Sequence, residues 1–194
     1  MREVVLLMQR KRRMEKHFLS ADEYLRDQWR LAAAIRASGW KPDFVVGLWR
    51  GGAPVAVAVH EFLRYTGWDA KHLPLKCASY TSLGCNEGEV VFTFAEETFA
   101  FFKSGDKVLF VDDVFDTGKT AAAVFKRLEG TLVDAKIACV YSKAVKNTTN
   151  ITPDFVVKDV GSDWLVFPHE MEDLPLSEIA IKDPLLAELA EKFA

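Results

Sequence analysis

Val108-Leu109-Phe110-Val111-Asp112-Asp113-Val114-Phe115-Asp116-Thr117-Gly118-Lys119-Thr120 is the stretch on which the fold turns. Its four leading apolar residues read as a strand buried on both faces. Asp112, Asp113 and Asp116 then form an acidic turn, and the small polar run Thr117 to Thr120 opens a helix expected over about Gly118 to Leu128. In open α/β sheets, ligands bind beyond the carboxyl ends of the strands. A helix tip at that place presents unpaired N–H groups and a partial positive charge, which suits a phosphate. Thr117 and Thr120 add hydroxyl donors and Lys119 adds a cation. Asp112 and Asp113 stand where they can hold sugar hydroxyls or a Mg²⁺ ion. One turn thus offers both halves of a site for a phosphorylated sugar.

The same residues admit other readings. Gly118-Lys119-Thr120 matches the end of a Walker-type loop. That motif needs a glycine five residues before Gly118, where this chain carries Asp113, an acid that would face the phosphates. Asp112-Asp113-Val114-Phe115-Asp116 has the form of the aspartate-rich motif of prenyl-diphosphate enzymes, but that motif belongs on a long helix and here follows an apolar strand. A plain strand-to-helix connection with acidic capping stays open.

Outward from this turn, strands and helices alternate. Ser20-Ala21-Asp22-Glu23 is a capping box that opens a helix running to about Ala37, with Gly39 as its stop. Phe44 to Trp49 is a continuous apolar run, broken by Arg50-Gly51-Gly52, and Pro54 sits near the first turn of a helix to about Tyr65. Further strands are expected at Ala70 to Lys76, Ala135 to Tyr141 and Phe155 to Val160. Cys77 to Gly88 is polar and turn-rich, and Glu89 to Phe94 suits one arm of a hairpin. This alternation predicts an α/β fold with a mainly parallel central sheet flanked by helices. Trp164 to Pro184 shows little periodicity, and Leu185, Leu186, Leu189 and Phe193 mark a short amphipathic helix. The expectation is one domain over 1–194, with a core at about 20–160 and a small C-terminal hood at about 161–194.

Composition bounds the function. The 194 residues are 49% hydrophobic with a net charge of −3, so no bulk electrostatic attraction to nucleic acid is expected. Arg10, Lys11, Arg12, Arg13 and Lys16 read as a solvated tail. No apolar run approaches the ~20 residues of a membrane span, and Val4 to Met8 is too short for a secretory core. Cys77, Cys85 and Cys139 have no metal-ligand spacing, which predicts a reduced, cytoplasmic protein without disulfides or zinc.

The stretch from Val108 to Thr120 resembles the signature with which type I phosphoribosyltransferases bind phosphoribosyl pyrophosphate (PRPP): a hydrophobic strand, two acids, then Asp-Thr-Gly-x-Thr. The resemblance runs from about Ser20 to Glu170, and within it Asp163 to Glu170 resembles the base-binding segment of bacterial xanthine-guanine phosphoribosyltransferases and their hypoxanthine-using relatives. It implies that Arg50 and Gly51 belong to a pyrophosphate loop whose peptide can be cis, and that the segment 76–94, with Ser79-Tyr80 near its start, is a flexible loop that closes over PRPP. It implies Mg²⁺ at Asp112 and Asp113, with Glu170 as a carboxylate for a second ion, and the 5′-phosphate on Asp116 to Thr120. Asp116 would share the proton at purine N7. Lys143, after the fourth strand, would donate to O6 of a 6-oxopurine, and Trp164 with Leu165 would hold the base. The reaction implied is transfer of ribose 5-phosphate from PRPP to hypoxanthine, guanine or xanthine, with Asp116 and Arg50 as the catalytic pair. A homo-oligomer, dimer or tetramer, is usual among such enzymes. Another base, such as adenine, uracil or orotate, or a PRPP-sensing regulator without turnover, is the alternative. The first thirteen residues have no counterpart in the resemblance, the tail beyond Glu170 is longer than in the compact bacterial enzymes, and Met14 is a candidate start.

Overall fold

The computed structural model describes residues 16–79, 90–93 and 95–193. Val4 to Met8, the basic cluster up to Arg13, Met14, Cys85 and most of the segment 76–94, Tyr80 included, lie outside the described residues. The chain divides into two compact units, one running Leu25–Ser162 and the other gathering the chain ends, up to Tyr24 and from Asp163.

The larger unit carries a six-stranded sheet. Its strands are β2 (Phe44–Trp49), β3 (Lys71–Ser79), β4 (Val90–Thr93), β5 (Lys107–Phe115), β6 (Asp134–Ser142) and β7 (Phe155–Asp159), in the order β4-β3-β2-β5-β6-β7. All neighbours pair in parallel except β3 with β4. Parallel strands need long crossovers, and helices supply two of them: α2 (Gly52–Tyr65) between β2 and β3, and α4 (Lys119–Leu128) between β5 and β6. A helix α1 (Ala21–Ala37) precedes β2, and a five-residue α3 (Ala95–Phe99) follows β4. Gly51 and Gly52 leave no room for side chains between β2's end and β5. A Cβ on Gly52 would lie 2.2 Å from the Val111 carbonyl, and one on Gly51 would lie 2.0 Å from Asp113 Oδ2.

The apolar runs end up where their continuity demands. Val45, Val46, Val108, Leu109, Phe110 and Val111 are fully buried, each worth about 1.5–3 kcal/mol of transfer free energy for the larger aliphatic and aromatic side chains. One cluster on the sheet joins Leu48, Leu75, Phe110, Phe115, Val124, Ile137 and Cys139. Phe92, Phe99 and Phe102 pack against it, with Phe99 and Phe102 edge to face at 5.7 Å between ring centres. On the same unit, Tyr141 Oη donates to Asp27 Oδ2 of α1 at 2.9 Å.

Three expectations change. β5 does not stop at Val111 but carries the acids onward, pairing Asp112 with Cys139, Val114 with Tyr141 and Phe115 with Ser142 of β6. β3 likewise runs on through Ser79, because β4 offers it an antiparallel partner from Lys76–Thr93 to Ser79–Val90. The amphipathic helix of the C-terminus is α6 (Pro184–Glu191), which ends before Phe193, itself 90% exposed.

The unit of the chain ends holds a two-stranded parallel pair, β1 (Lys16–Phe18) with β8 (Trp164–Val166), and the helices α5 (Leu176–Lys182) and α6. Asp183 caps α6 by accepting from Leu185 N at 2.8 Å and Leu186 N at 3.1 Å. Ser20 Oγ accepts from Glu23 N at 3.1 Å, as the capping box requires. Among the described residues no helix is long and apolar enough to cross a membrane.

Candidate active site

Strand order alone locates a crevice. From β2 the chain steps to β3 on one side, while β5, reached later, lies on β2's other side. Connections that leave in opposite directions open a gap at the carboxyl ends of these two strands, the switch point where open α/β sheets bind ligands. β2 ends at Trp49 and runs into Arg50-Gly51, with a cis peptide between Trp49 and Arg50. The end of β5 is the acidic run.

A cavity of about 260 Å³ opens there. Leu48, Phe115, Ala121 and Ile137 give it an apolar floor, and Asp112, Asp116, Thr117, Gly118 and Thr120 give it polar walls. Gly118, at φ 79°, turns the chain into α4 without a side-chain cap of its own, and a helix tip of this kind suits an anion. Glycine is favoured at this φ, and a Cβ would also lie 2.3 Å from Thr149 Oγ1. Thr117 Oγ1 accepts from Lys119 N at 3.5 Å. Lys119's side chain is exposed and does not line the cavity.

Asp112 and Asp113 separate by the alternation of a strand. Asp112 lines the cavity, whereas Asp113's carboxylate faces Gly51 of the neighbouring turn. Asp112 Oδ1 accepts from Asp113 N at 3.0 Å, and Asp113 Oδ1 from Val114 N at 2.7 Å. Burial pushes the Asp112 carboxyl well above the usual carboxylate range, and the charge of Asp113 beside it adds to the rise. Both effects extend to sulfur: burial, then Asp112 and Asp113, pushes the Cys77 thiol up to about 12. Cys77, whose turn-rich sequence context carries no sign of a site, donates from its Sγ to the Trp49 carbonyl at 3.8 Å. Such crowded, partly buried acids are what a divalent cation relieves. Mg²⁺ commonly takes one or two protein carboxylates and fills its shell with water and substrate phosphate. The pair fits that pattern, and among the described residues no cluster of three His, Cys, Asp or Glu side chains offers an all-protein cage.

Lys143 follows β6 and is buried, and its Nζ donates to Asp116 Oδ2 at 3.1 Å. Its own amide donates to the Phe115 carbonyl at 2.8 Å, which fastens the lysine to the end of β5. The 3₁₀ turn Ala144–Lys146 and the polar run Asn147-Thr148-Thr149 come next, and Thr148 reaches the Thr117 carbonyl. Nothing in the sequence pattern flagged this run beyond its polarity.

Trp164, Leu165 and Glu170 belong to the unit of the chain ends. Trp164 is 47% exposed on β8 and Leu165 is buried. Glu170 Oε2 accepts from Phe167 N at 3.0 Å, and the Glu170 carbonyl accepts from Lys182 Nζ. Burial lowers the Lys182 ammonium below its usual range, against a smaller opposing effect of Glu170.

Against known proteins, a model of the phosphoribosyl transferase domain matches residues 19–175. Among solved structures, the chain is similar to a purine phosphoribosyltransferase from Pyrococcus horikoshii Ot3, with 27% identity, a TM-score of 0.63, and coverage of 84% of this chain and 98% of that one. It is similar to a hypothetical protein from Neisseria gonorrhoeae with bound ppGpp, at 24% identity and a TM-score of 0.69 over 91% of this chain and 98% of that one. The xanthine-guanine-hypoxanthine phosphoribosyltransferase of Helicobacter pylori aligns at 21% identity with a TM-score of 0.63, over 86% and 99% of the two chains.

Proposed function

The chain belongs to the phosphoribosyl transferase domain family, and from that membership we propose that it transfers ribose 5-phosphate from PRPP to a 6-oxopurine, releasing pyrophosphate. One observation carries the reading: at the switch point, an uncapped helix tip and the carboxylates of Asp112 and Asp116 face the same cavity.

The roles follow from chemistry. The amides of Gly118, Lys119 and Thr120, with the hydroxyls of Thr117 and Thr120, bind the 5′-phosphate. Asp112 and Asp113 hold the ribose hydroxyls and would hold Mg²⁺. Bound there, the metal supplies positive charge against the leaving diphosphate. Arg50 and the Gly51 amide serve that diphosphate too. The guanidinium offers several donors in fixed geometry, and glycine lets phosphate oxygens approach the backbone. The bond from the anomeric carbon to the pyrophosphate oxygen breaks as purine N9 attacks, and the electron pair leaves with pyrophosphate. Asp116 takes or shares the proton at N7 as positive charge builds on the base. Lys143 donates to O6.

The test is pyrophosphate release from PRPP and Mg²⁺ with hypoxanthine, guanine, xanthine, adenine and uracil. Turnover with one or more of the first three is the expected outcome. Preference for adenine or uracil would refute the base assignment, and tight PRPP binding without turnover on any base would make the protein a PRPP sensor instead. Purine salvage in the cytoplasm, as an oligomer, is the setting this activity fits.

A further inference from the structure

We propose that Thr148 is a positioning residue for the phosphate end of the site: it holds the Thr117–Gly118 peptide so that the Gly118 N–H points into the cavity. The inference rests on the reading of that cavity as a sugar-phosphate site. Thr148 N donates to the Thr117 carbonyl at 3.0 Å, and Thr148 Oγ1 reaches the same oxygen at 3.2 Å. In a planar trans peptide the carbonyl and the following N–H point in opposite directions. Thr117 and Gly118 line the cavity and Thr148 does not. A carbonyl pulled toward Thr148 therefore sends the Gly118 N–H the other way, toward the cavity.

The clamp matters because of what it clamps. Gly118 sits at φ 79°, and glycine populates both signs of φ readily, so without a fixed partner this peptide plane has freedom to turn over. The loop that supplies Thr148 is itself fastened. Asn147 Oδ1 accepts from Thr149 N and from Thr149 Oγ1, both at 2.9 Å, and Asn147 Nδ2 donates to the Ile151 carbonyl at 2.8 Å. Asn147 and Thr149 also press on Gly118 itself: a Cβ there would meet Thr149 Oγ1 at 2.3 Å and Asn147 Oδ1 at 2.7 Å. The same loop begins at Lys143, so one short segment braces the phosphate cradle and carries the lysine paired to Asp116.

Thr148→Val tests this, since it removes the hydroxyl donor and keeps the shape and the backbone amide; Thr148→Ser keeps the donor. Binding of ribose 5-phosphate is measured by calorimetry, with KM for PRPP and for the base, kcat and the melting temperature alongside. The expected result for Thr148→Val is a rise of about 3- to 10-fold in both the Kd of ribose 5-phosphate and the KM of PRPP, the equivalent of one neutral hydrogen bond. The KM of the base should stay within about twofold, and Thr148→Ser should restore wild-type binding. Unchanged ribose 5-phosphate binding in Thr148→Val would overturn the inference and leave the functional reading intact. Equal impairment of Thr148→Ser, with base and PRPP affected alike and a lowered melting temperature in both variants, would overturn it as mere loop packing. A wild-type protein that binds neither ribose 5-phosphate nor PRPP would remove the functional reading and this inference together.

Discussion

The ammonium of Lys143 lies 3.1 Å from Oδ2 of Asp116, and the two side chains differ sharply in exposure, 8% against 39%. The lysine is the buried partner, so the pair is anchored from its cationic end. An ammonium has three donors, and the carboxylate takes one in this structure. What remains can serve a carbonyl oxygen on an incoming base and would meet the amino group of adenine with the wrong polarity. Lys143→Met is therefore expected to lower kcat/KM for the preferred 6-oxopurine by about 10- to 150-fold, the range of a charge-assisted hydrogen bond. Its penalty against adenine should shrink by a similar factor. The check is the ratio of kcat/KM values for the two bases; a ratio unmoved by the substitution would take Lys143 out of base recognition.

Asp112 illustrates function set against stability. Its folded carboxyl titrates above the usual range, through burial and through Asp113. Between the unfolded value of about 3.9 and the raised folded one, the native state keeps a proton that the unfolded chain has released. Stability from this group is thus present below the unfolded value and is lost as pH rises through the folded one. Asp112→Asn removes the titration. In metal-free buffer the variant should melt a few degrees higher than wild type at pH 7 to 8, and the gap should close toward pH 4. With Mg²⁺ and PRPP added the order should reverse, because only the wild type gains the full stabilisation of ligand binding. Melting curves across pH, with and without ligand, decide it; a variant less stable than wild type at every pH would mean that the carboxylate is structurally required.

Much of this was legible because the sheet is parallel and buried. A strand covered on both faces must read as an unbroken apolar run, and Phe44 to Trp49 and Val108 to Val111 do. The same rule hid the length of β5. Asp112 and Asp113 break the apolar run, yet the ladder to β6 continues to Phe115, since backbone pairing is indifferent to side-chain charge where one face opens on a cavity. β1 and β8 are three residues each and join segments some 148 positions apart (Lys16 with Trp164), so no periodicity exists in so short a span to reveal them. The Gly118 turn was visible as a helix start, but its brace was not. Thr148 acts through its backbone amide and one hydroxyl on a carbonyl 31 positions away, and a polar loop residue carries no mark of such a partner. Lys143 could be picked from the resemblance, whereas its pairing with Asp116 is a matter of tertiary geometry alone.

Asp116 is where chemistry and binding can be separated. It lines the cavity beside the helix tip, its carboxylate faces the buried Lys143, and it lies just before the amides proposed to hold the phosphate. Asp116→Asn keeps the size of the side chain and an oxygen that can accept from Lys143, while removing the charge and the capacity to take a proton. If Asp116 receives the N7 proton, the loss falls on the transition state: kcat should drop by about 10²- to 10⁴-fold, the usual share of a general base. The KM of PRPP should change little, because the phosphate-binding amides and Thr117 are untouched. Steady-state kinetics with saturating base, and PRPP binding measured directly on the variant, separate the two. A variant that turns over at the wild-type rate would remove Asp116 from the proton role, and a rise in the Kd of PRPP with kcat preserved would make it a binding residue only.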